Sequence, residues 1–326
     1  MNILLTGGAG YIGSHTSLTL IERGHSVTVV DNLVTGSIDL VPKEVNFFKA
    51  DISEVDKINN LLKNNKFDVV MHFAGLVKVE ESIKYPEKYN LYNFEKAKIF
   101  FDCCLKFGLN KIIFSSTAGV YGKLKEFKKV NEKDKLEPSN PYASSKHKLE
   151  QHLLNLSREK KIKSIILRYF NVAGADKKKR SGLVVKDSNN LIKAVCEAAV
   201  KKREKVVING NDYKTKDGTP IRDFIHVSDL AEMHLIVAEH INSNGSSGIY
   251  NCGYGLGYSV KEVLEEMEKI LNHNIKKELG SRREDDIPYS VADNKKFKDK
   301  FNWIPKYNNL NYILNSALEW ERKIKS

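Results

Sequence analysis

Leu5-Thr6-Gly7-Gly8-Ala9-Gly10-Tyr11-Ile12-Gly13 is the stretch on which the fold turns. The run Asn2–Thr6 that enters it is β-rich, and Ser14–Arg23 beyond it has helical spacing, so the glycines lie between a strand and a helix. Gly7, Gly10 and Gly13 form GxxGxxG, while Gly8, Gly10 and Gly13 form GxGxxG. Glycines there permit a tight turn and let a pyrophosphate approach the backbone, with helix N–H groups and the positive helix pole facing it. Asp31 closes the next β-rich run, Ser26–Asp31. A carboxylate there accepts hydrogen bonds from a ribose and repels a 2′-phosphate, which selects NAD over NADP; its alternative is a turn or helix cap. Asp51, after the third run, is placed to reach an adenine, with the same alternative.

Beyond the turn the first half keeps one rhythm. Strands are expected at Asn2–Thr6, Ser26–Asp31, Asn46–Lys49, Asp68–Phe73, Lys111–Ser115 and Ser164–Tyr169. Helical segments separate them: Val55, Ile58 and Leu62 keep helical spacing, and Pro86 opens a long helix to about Phe107. This alternation implies right-handed βαβ crossovers and a doubly wound parallel sheet of the α/β class. Val27, Val29 and Val30 suit a strand buried on both faces. The rhythm breaks after Asn171, so residues 1–171 read as one domain and 172–326 as a smaller C-terminal α/β domain for the substrate. Residues 223–241, a short strand and then an apolar helix, are expected to return to the first.

Composition narrows the class. At 326 residues and 41% hydrophobic, the chain can bury a substantial core. No apolar stretch reaches the length of a membrane span and no signal-like segment is read, so a cytoplasmic protein off the membrane is expected. The net charge of +12 suits either nucleic acid or a lysine-rich solvated surface. Because the Lys and Arg residues are scattered and no nucleic-acid motif accompanies them, the second reading is favoured. Cys103, Cys104, Cys196 and Cys252 form no CxxC or metal-ligand pattern, so reduced core thiols and no metal are expected.

A second motif is Pro141-Tyr142-Ala143-Ser144-Ser145-Lys146. Asn140 suits an N-cap and Pro141 the first helical position, which puts Tyr142 and Lys146 on one face, in line with Leu149, Leu153 and Leu156. A tyrosine of ordinary pKa near 10 is a poor base at neutral pH. A nearby ammonium and a cationic nicotinamide ring both favour its phenolate, and so general acid–base chemistry. The third member comes from Phe114–Gly122, leaving the fifth strand at its carboxyl end, the edge at which open parallel sheets bind ligands. Thr117 can hydrogen-bond a reacting hydroxyl or cap a turn; Ser115 and Ser116 are rivals for the role.

With these motifs the chain resembles the extended short-chain dehydrogenase/reductases, most closely the UDP-glucose (UDP-galactose) 4-epimerases, along nearly its whole length. The resemblance rests on Leu5–His15, Asp31-Asn32-Leu33, His72–Leu76, Arg168–Asn171, Asn209–Tyr213 with Asp217-Gly218-Thr219, Arg222–Val227 and Arg282–Asp286. It implies a Rossmann NAD domain, a cytoplasmic homodimer built on the Tyr142 and Pro86–Phe107 helices, and Thr117, Tyr142 and Lys146 as the catalytic set. It implies NAD contacts from Gly7, Gly10, Tyr11, Ile12, Gly13, Asp31, Asn32, Thr35, Gly36, Asp51, Ile52, Phe73, Ala74, Gly75, Asn93 and Phe170, besides the catalytic three. It implies UDP-sugar contacts from Asn171, Asn190, Leu191, Asn209, Arg222, Arg283 and Asp286. Ser290, where glucose-specific relatives often carry tyrosine, leaves room for a 2-acetamido group, so UDP-N-acetylglucosamine and UDP-N-acetylgalactosamine are expected as further substrates. Departures from the pattern are Val77 in place of a frequent lysine, Glu80 in place of glycine, and Phe94-Glu95-Lys96-Ala97 in place of Val-Asn-Gly-Thr. Related 4,6-dehydratases carry Asp-Glu after the threonine; Ala118 and Gly119 stand there instead and argue against dehydration. Another nucleotide-sugar epimerase, a decarboxylase, or a non-catalytic NAD-binding protein are the alternatives, the last having no use for all three catalytic side chains.

Overall fold

A computed structural model describes residues 1–123, 127–185, 188–283 and 286–324. Its contacts gather into two units: Met1–Gly122, Lys135–Tyr169 and Ala231–Tyr250 form the first, and Lys123–Asp134, Phe170–Leu230 and Asn251–Ser326 the second.

The first unit is built on β1 (Asn2–Thr6), β2 (Ser26–Asp31), β3 (Asn46–Lys49), β4 (Val69–His72), β5 (Lys111–Thr117) and β6 (Lys163–Tyr169). They pair in parallel in the order β3-β2-β1-β4-β5-β6. The order reverses between β1 and β4, which creates the crevice at the carboxyl edge where ligands bind in such sheets. β1, β2 and β4 are apolar almost throughout because helices cover both faces: Leu4, Leu5, Val29, Val30, Val69 and Val70 are fully buried. The strands match the sequence expectation to within two residues at each end.

The covering helices are α1 (Tyr11–Glu22), α2 (Val55–Asn64), α3 (Val79–Lys84), α4 (Pro86–Asn90), α5 (Lys96–Lys106) and α6 (Pro141–Arg158). On one face, Ile58 and Leu62 of α2, Phe100 and Phe101 of α5 and Leu149 and Leu153 of α6 pack on Leu4, Val70 and Ile112. The helix expected from Pro86 to Phe107 is not uniform: Leu91–Glu95 is wound as a π turn between α4 and α5. Such a turn shifts the facing of the residues within it. Its Asn93 is buried, with the side chain spent on Leu76 and Ser145.

In the second unit β7 (Asn171–Ala173), β9 (Ile221–His226), β11 (Gly257–Ser259) and β13 (Tyr289–Ser290) share a sheet, while β8 (Val206–Asn209) pairs with β12 (Lys277–Gly280). The strand β10 (Gly248–Cys252) adds to the large sheet beside β6, making seven strands. Helices α7 (Leu191–Ala199), α8 (Val227–Asn242), α9 (Val260–Leu271), α10 (Lys295–Phe301) and α11 (Leu310–Lys323) complete the chain. All four cysteines are reduced and buried. Among the described residues no helix is long and apolar enough to cross a membrane, and no His, Cys, Asp and Glu group could hold a metal ion.

Candidate active site

The phosphate turn is packed so closely that side chains are excluded from it. A Cβ at Gly7 (φ +74°) would stand 2.6 Å from the Ala74 nitrogen, and one at Gly13 would stand 2.4 Å from the Gly7 oxygen. Asp31 accepts N–H groups from Ala9 at 3.0 Å and Leu33 at 2.8 Å, so it caps the turn from the end of β2. Burial pushes its carboxyl up, and those two N–H groups oppose the rise. Gly36 lies against Ala9, and Thr35 is exposed beside it. Beyond β3, Asp51 binds Asn32 and Ser53, with Ile52 buried next to it.

The tyrosine–lysine helix is placed as the sequence requires. Asn140 caps α6 through the Ala143 N–H, and Lys146 is buried while Tyr142 is partly so. Thr117 ends β5, and its hydroxyl favours the Tyr142 phenolate. Thr117 also accepts the Gly119 N–H at 3.0 Å, so it caps the turn after β5 as well. Of its rivals, Ser116 donates its hydroxyl to Glu150, while Ser115 accepts from Lys146 at 3.1 Å through its backbone carbonyl. A Cβ at Gly75 (φ +156°) would meet Asn93 Oδ1 at 2.9 Å and Lys146 Nζ at 3.4 Å, so the loop after β4 runs directly beside the lysine. Tyr89 stands edge-on to Tyr142 at 6.4 Å, and Phe73 packs on His234 at 4.9 Å.

One electrostatic expectation is corrected. Burial raises the Tyr142 phenol above its ordinary value, and the Thr117 hydroxyl is what lowers it. The Lys146 ammonium turns to the Ser115 carbonyl and lies 5.1 Å from the Phe114 ring centroid. Burial brings Lys146 itself down to about 8, so it holds its own charge weakly.

In the second unit the structure pairs two residues expected to bind separately. Arg222 Nη2 stands 2.6 Å from Asp286 Oδ1, and the Tyr213 hydroxyl donates to the other oxygen of Asp286 at 3.3 Å. Arg222 and Asp286 thus form an ion pair. Arg283 is exposed, and its neighbours Glu284 and Asp285 lie outside the described residues. Ser290 is registered opposite Arg222 and Asn171 opposite Phe224, so both flank β9. Asn190 caps α7 at Lys193, Leu191 begins that helix, and Asn209 ends β8. Phe170 is buried, its N–H donating to the Cys252 carbonyl at 3.0 Å.

Sequence reading assigned no part to Glu150, which lies one helical turn beyond Lys146 on the same stripe, or to Lys96, which pairs with Asp51 at 2.7 Å. The first was detectable by extending the i, i+4 spacing from Tyr142.

Residues 3–253 match the model of the NAD dependent epimerase/dehydratase family. The chain belongs to that family. It is 39% identical over 323 residues to the UDP-glucose 4-epimerase of Azospirillum brasilense, covering 99% of this chain and 92% of that protein. Among solved structures it is similar to the UDP-glucose 4-epimerase of Bifidobacterium longum in complex with NAD+ and UDP, at a TM-score of 0.93 and 35% identity, covering 99% and 98% of the two chains. The UDP-Glc/GlcNAc 4-epimerase of Campylobacter jejuni superposes with a TM-score of 0.85 at 40% identity, covering 99% of each chain.

Proposed function

We propose that this chain is an NAD-dependent UDP-glucose 4-epimerase that interconverts UDP-glucose and UDP-galactose through a 4-keto sugar. The observation that carries the reading is the pairing of Tyr142 with the buried Lys146 one turn along α6, with Thr117 at the carboxyl end of β5.

NAD fits the residues present. Gly7 and Gly13 keep the turn after β1 too tight for side chains, as a backbone approached by a pyrophosphate requires, and Asp31 ends β2 where an adenosine ribose is recognised. Bound NAD supplies the hydride acceptor and donor. Tyr142 takes the proton of the sugar 4-hydroxyl and later returns it, and Thr117 keeps that hydroxyl in line with the phenol. Lys146, buried near Gly75, supplies positive charge beside the reacting groups. Residues up to Asn171 hold the cofactor. Asn171, Asn190, Leu191, Asn209, Arg222, Arg283 and Asp286 retain the nucleotide, with guanidinium groups suited to phosphate oxygens. Concentrating the grip on UDP lets the hexose turn over between the two hydride transfers. Ser290, a small side chain beside Arg222 in register, admits the 2-acetamido group of UDP-N-acetylhexosamines.

The enzyme works as a cytoplasmic homodimer that binds neither nucleic acid nor membrane. Incubating purified protein with UDP-galactose, with no NAD added, and following products by NMR tests the reading. UDP-glucose is the expected product; a 4-keto-6-deoxy sugar or no turnover at all would overturn it.

A further inference from the structure

Asp51 has no acceptor position left over. Its Oδ1 takes the Ser53 N–H at 2.9 Å and the Ser53 hydroxyl at 2.6 Å; its Oδ2 takes Asn32 Nδ2 at 2.9 Å and Lys96 Nζ at 2.7 Å. A carboxylate offers about four lone-pair sites, and here all are occupied. The ion pair is largely sheltered, with 17% of the Lys96 and 21% of the Asp51 side chain exposed. The Lys96 ammonium also stands 4.1 Å from the Tyr92 ring centroid, one turn back along the chain, which screens it further. Burial alone would raise the Asp51 carboxyl; the hydrogen bonds from Lys96, Ser53 and Asn32 outweigh it and hold the group at about 2, ionised at any working pH.

The placement of Lys96 gives the pair its meaning. Three residues earlier, Asn93 is bound through both side-chain groups to Leu76, in the loop after β4. Lys96 opens α5 and reaches the segment after β3. A single stretch of helix is therefore pinned at two loops on the carboxyl edge of the sheet, one at β4 and the other at β3. Between them lie β1 and β2, which carry the phosphate turn and Asp31. Where this chain carries Lys96, the motif it resembles has glycine, which has no side chain to make the outer of those two ties.

We propose that Lys96 is a latch at the adenine end of the dinucleotide site, its ion pair with Asp51 holding α5 to the loop after β3 and setting how fast NAD escapes. The proposal rests on the reading of this site as an NAD site. With its oxygens filled in this way, Asp51 serves as the anchor of the latch.

The test is the exchange rate of bound NAD in the purified holoenzyme, measured by adding excess isotopically labelled NAD and following its incorporation. Lys96→Met keeps the aliphatic stem and removes the charge; it is expected to speed exchange about tenfold or more, since loss of one partner of a sheltered charged pair acts on dissociation. Lys96→Arg is expected to restore slow exchange. Lys96→Met and Asp51→Asn together should do no more than either alone. A folded Lys96→Met holoenzyme that exchanges NAD at the wild-type rate overturns the latch. So does a Lys96→Arg holoenzyme that exchanges NAD as fast as Lys96→Met. If the wild type binds no NAD in direct titration, the cofactor reading itself fails, and the latch with it.

Discussion

Arg168 meets Glu150 as a two-pronged ion pair, Nε 3.0 Å from Oε1 and Nη2 2.7 Å from Oε2, with both side chains almost wholly buried. Ser116 donates to the same carboxylate, and the remaining arm of Arg168 reaches the Tyr121 hydroxyl at 3.0 Å. Glu150 lies one turn beyond Lys146 on α6, Ser116 stands next to Thr117 on β5, and Arg168 is on β6. The cluster therefore locks the tyrosine–lysine helix against the strand that carries Thr117, and the placement of Thr117 relative to Tyr142 depends on that registration.

Breaking this pair from one side leaves a buried charge without its partner. Glu150→Gln is expected to cost about 3–5 kcal/mol of stability and to lower kcat with little change in KM for UDP-sugar. Replacing both residues, as Glu150→Met with Arg168→Met, should recover much of the stability in thermal unfolding but not the turnover. Full recovery of turnover in the double variant would show that the cluster supports the fold only.

His72 gives the protein an acid-sensitive core. It is fully buried among Phe100, Phe101 and Phe114, with Nδ1 2.8 Å from the Thr6 hydroxyl, and burial followed by the Lys146 charge brings it down to about 3. The unfolded chain takes up this proton from its ordinary pKa near 6.5 downward, whereas the folded chain does not until about 3. The contribution of His72 to stability is therefore intact above that ordinary pKa and falls with acidification by up to about 1.4 kcal/mol per pH unit. Asp223 works in the opposite sense: burial raises it to about 6, so its contribution is present at low pH and lost as pH rises through that value. Urea unfolding from pH ~7 to ~4 should show a shallower slope in His72→Asn than in the wild type. Parallel curves would remove His72 from the account.

Lys146 illustrates a cost of function. An ammonium held down to about 8 by burial opposes folding at neutral pH. Lys146→Met is expected to raise stability by about 1–3 kcal/mol near neutral pH and to reduce kcat by a factor of about 100 or more. The wild-type disadvantage should shrink as pH rises from about 8 towards 10.5, where the unfolded chain also loses this proton. Calorimetry across that range checks the sign.

Much of this was legible in the residues, and the reasons for what was not are physical. Strand–turn–helix punctuation at Gly7–Gly13 and the doubly buried valines of β2 are local signals, so the doubly wound parallel sheet followed from them, whereas its strand order did not. The Tyr142–Lys146 spacing is local too, and both side chains lie where it places them. Setting Ser116 aside needed the alternation along β5, which turns it towards Glu150 and away from the face that Ser115 and Thr117 share. Pairings across long separations were out of reach: Lys96 with Asp51 and Arg222 with Asp286 join elements that no periodicity connects. The direction of the Tyr142 shift was missed because a neighbour's charge is visible in a sequence, whereas depth of burial is not.

Ser290 offers a test of selectivity. It is registered opposite Arg222 on β9, and the proposed function assigns the room beside its small side chain to a 2-acetamido group. Ser290→Tyr is expected to lower kcat/KM for UDP-N-acetylglucosamine by about 10- to 100-fold, leaving UDP-galactose within a few-fold of wild type. Equal losses on both substrates, or no wild-type turnover of the acetylated sugar, would contradict this.

The most direct test is Tyr142→Phe, which removes one oxygen from the Thr117–Tyr142 pair and keeps the ring that Tyr89 packs on. Purified variant and wild type are given UDP-galactose, with product and bound NAD quantified together. The account predicts NAD retained as in the wild type and UDP-glucose formation reduced by about 100- to 10,000-fold, the loss of a positioned acid–base group. UDP-glucose formed at near wild-type rate with NAD in place would contradict it.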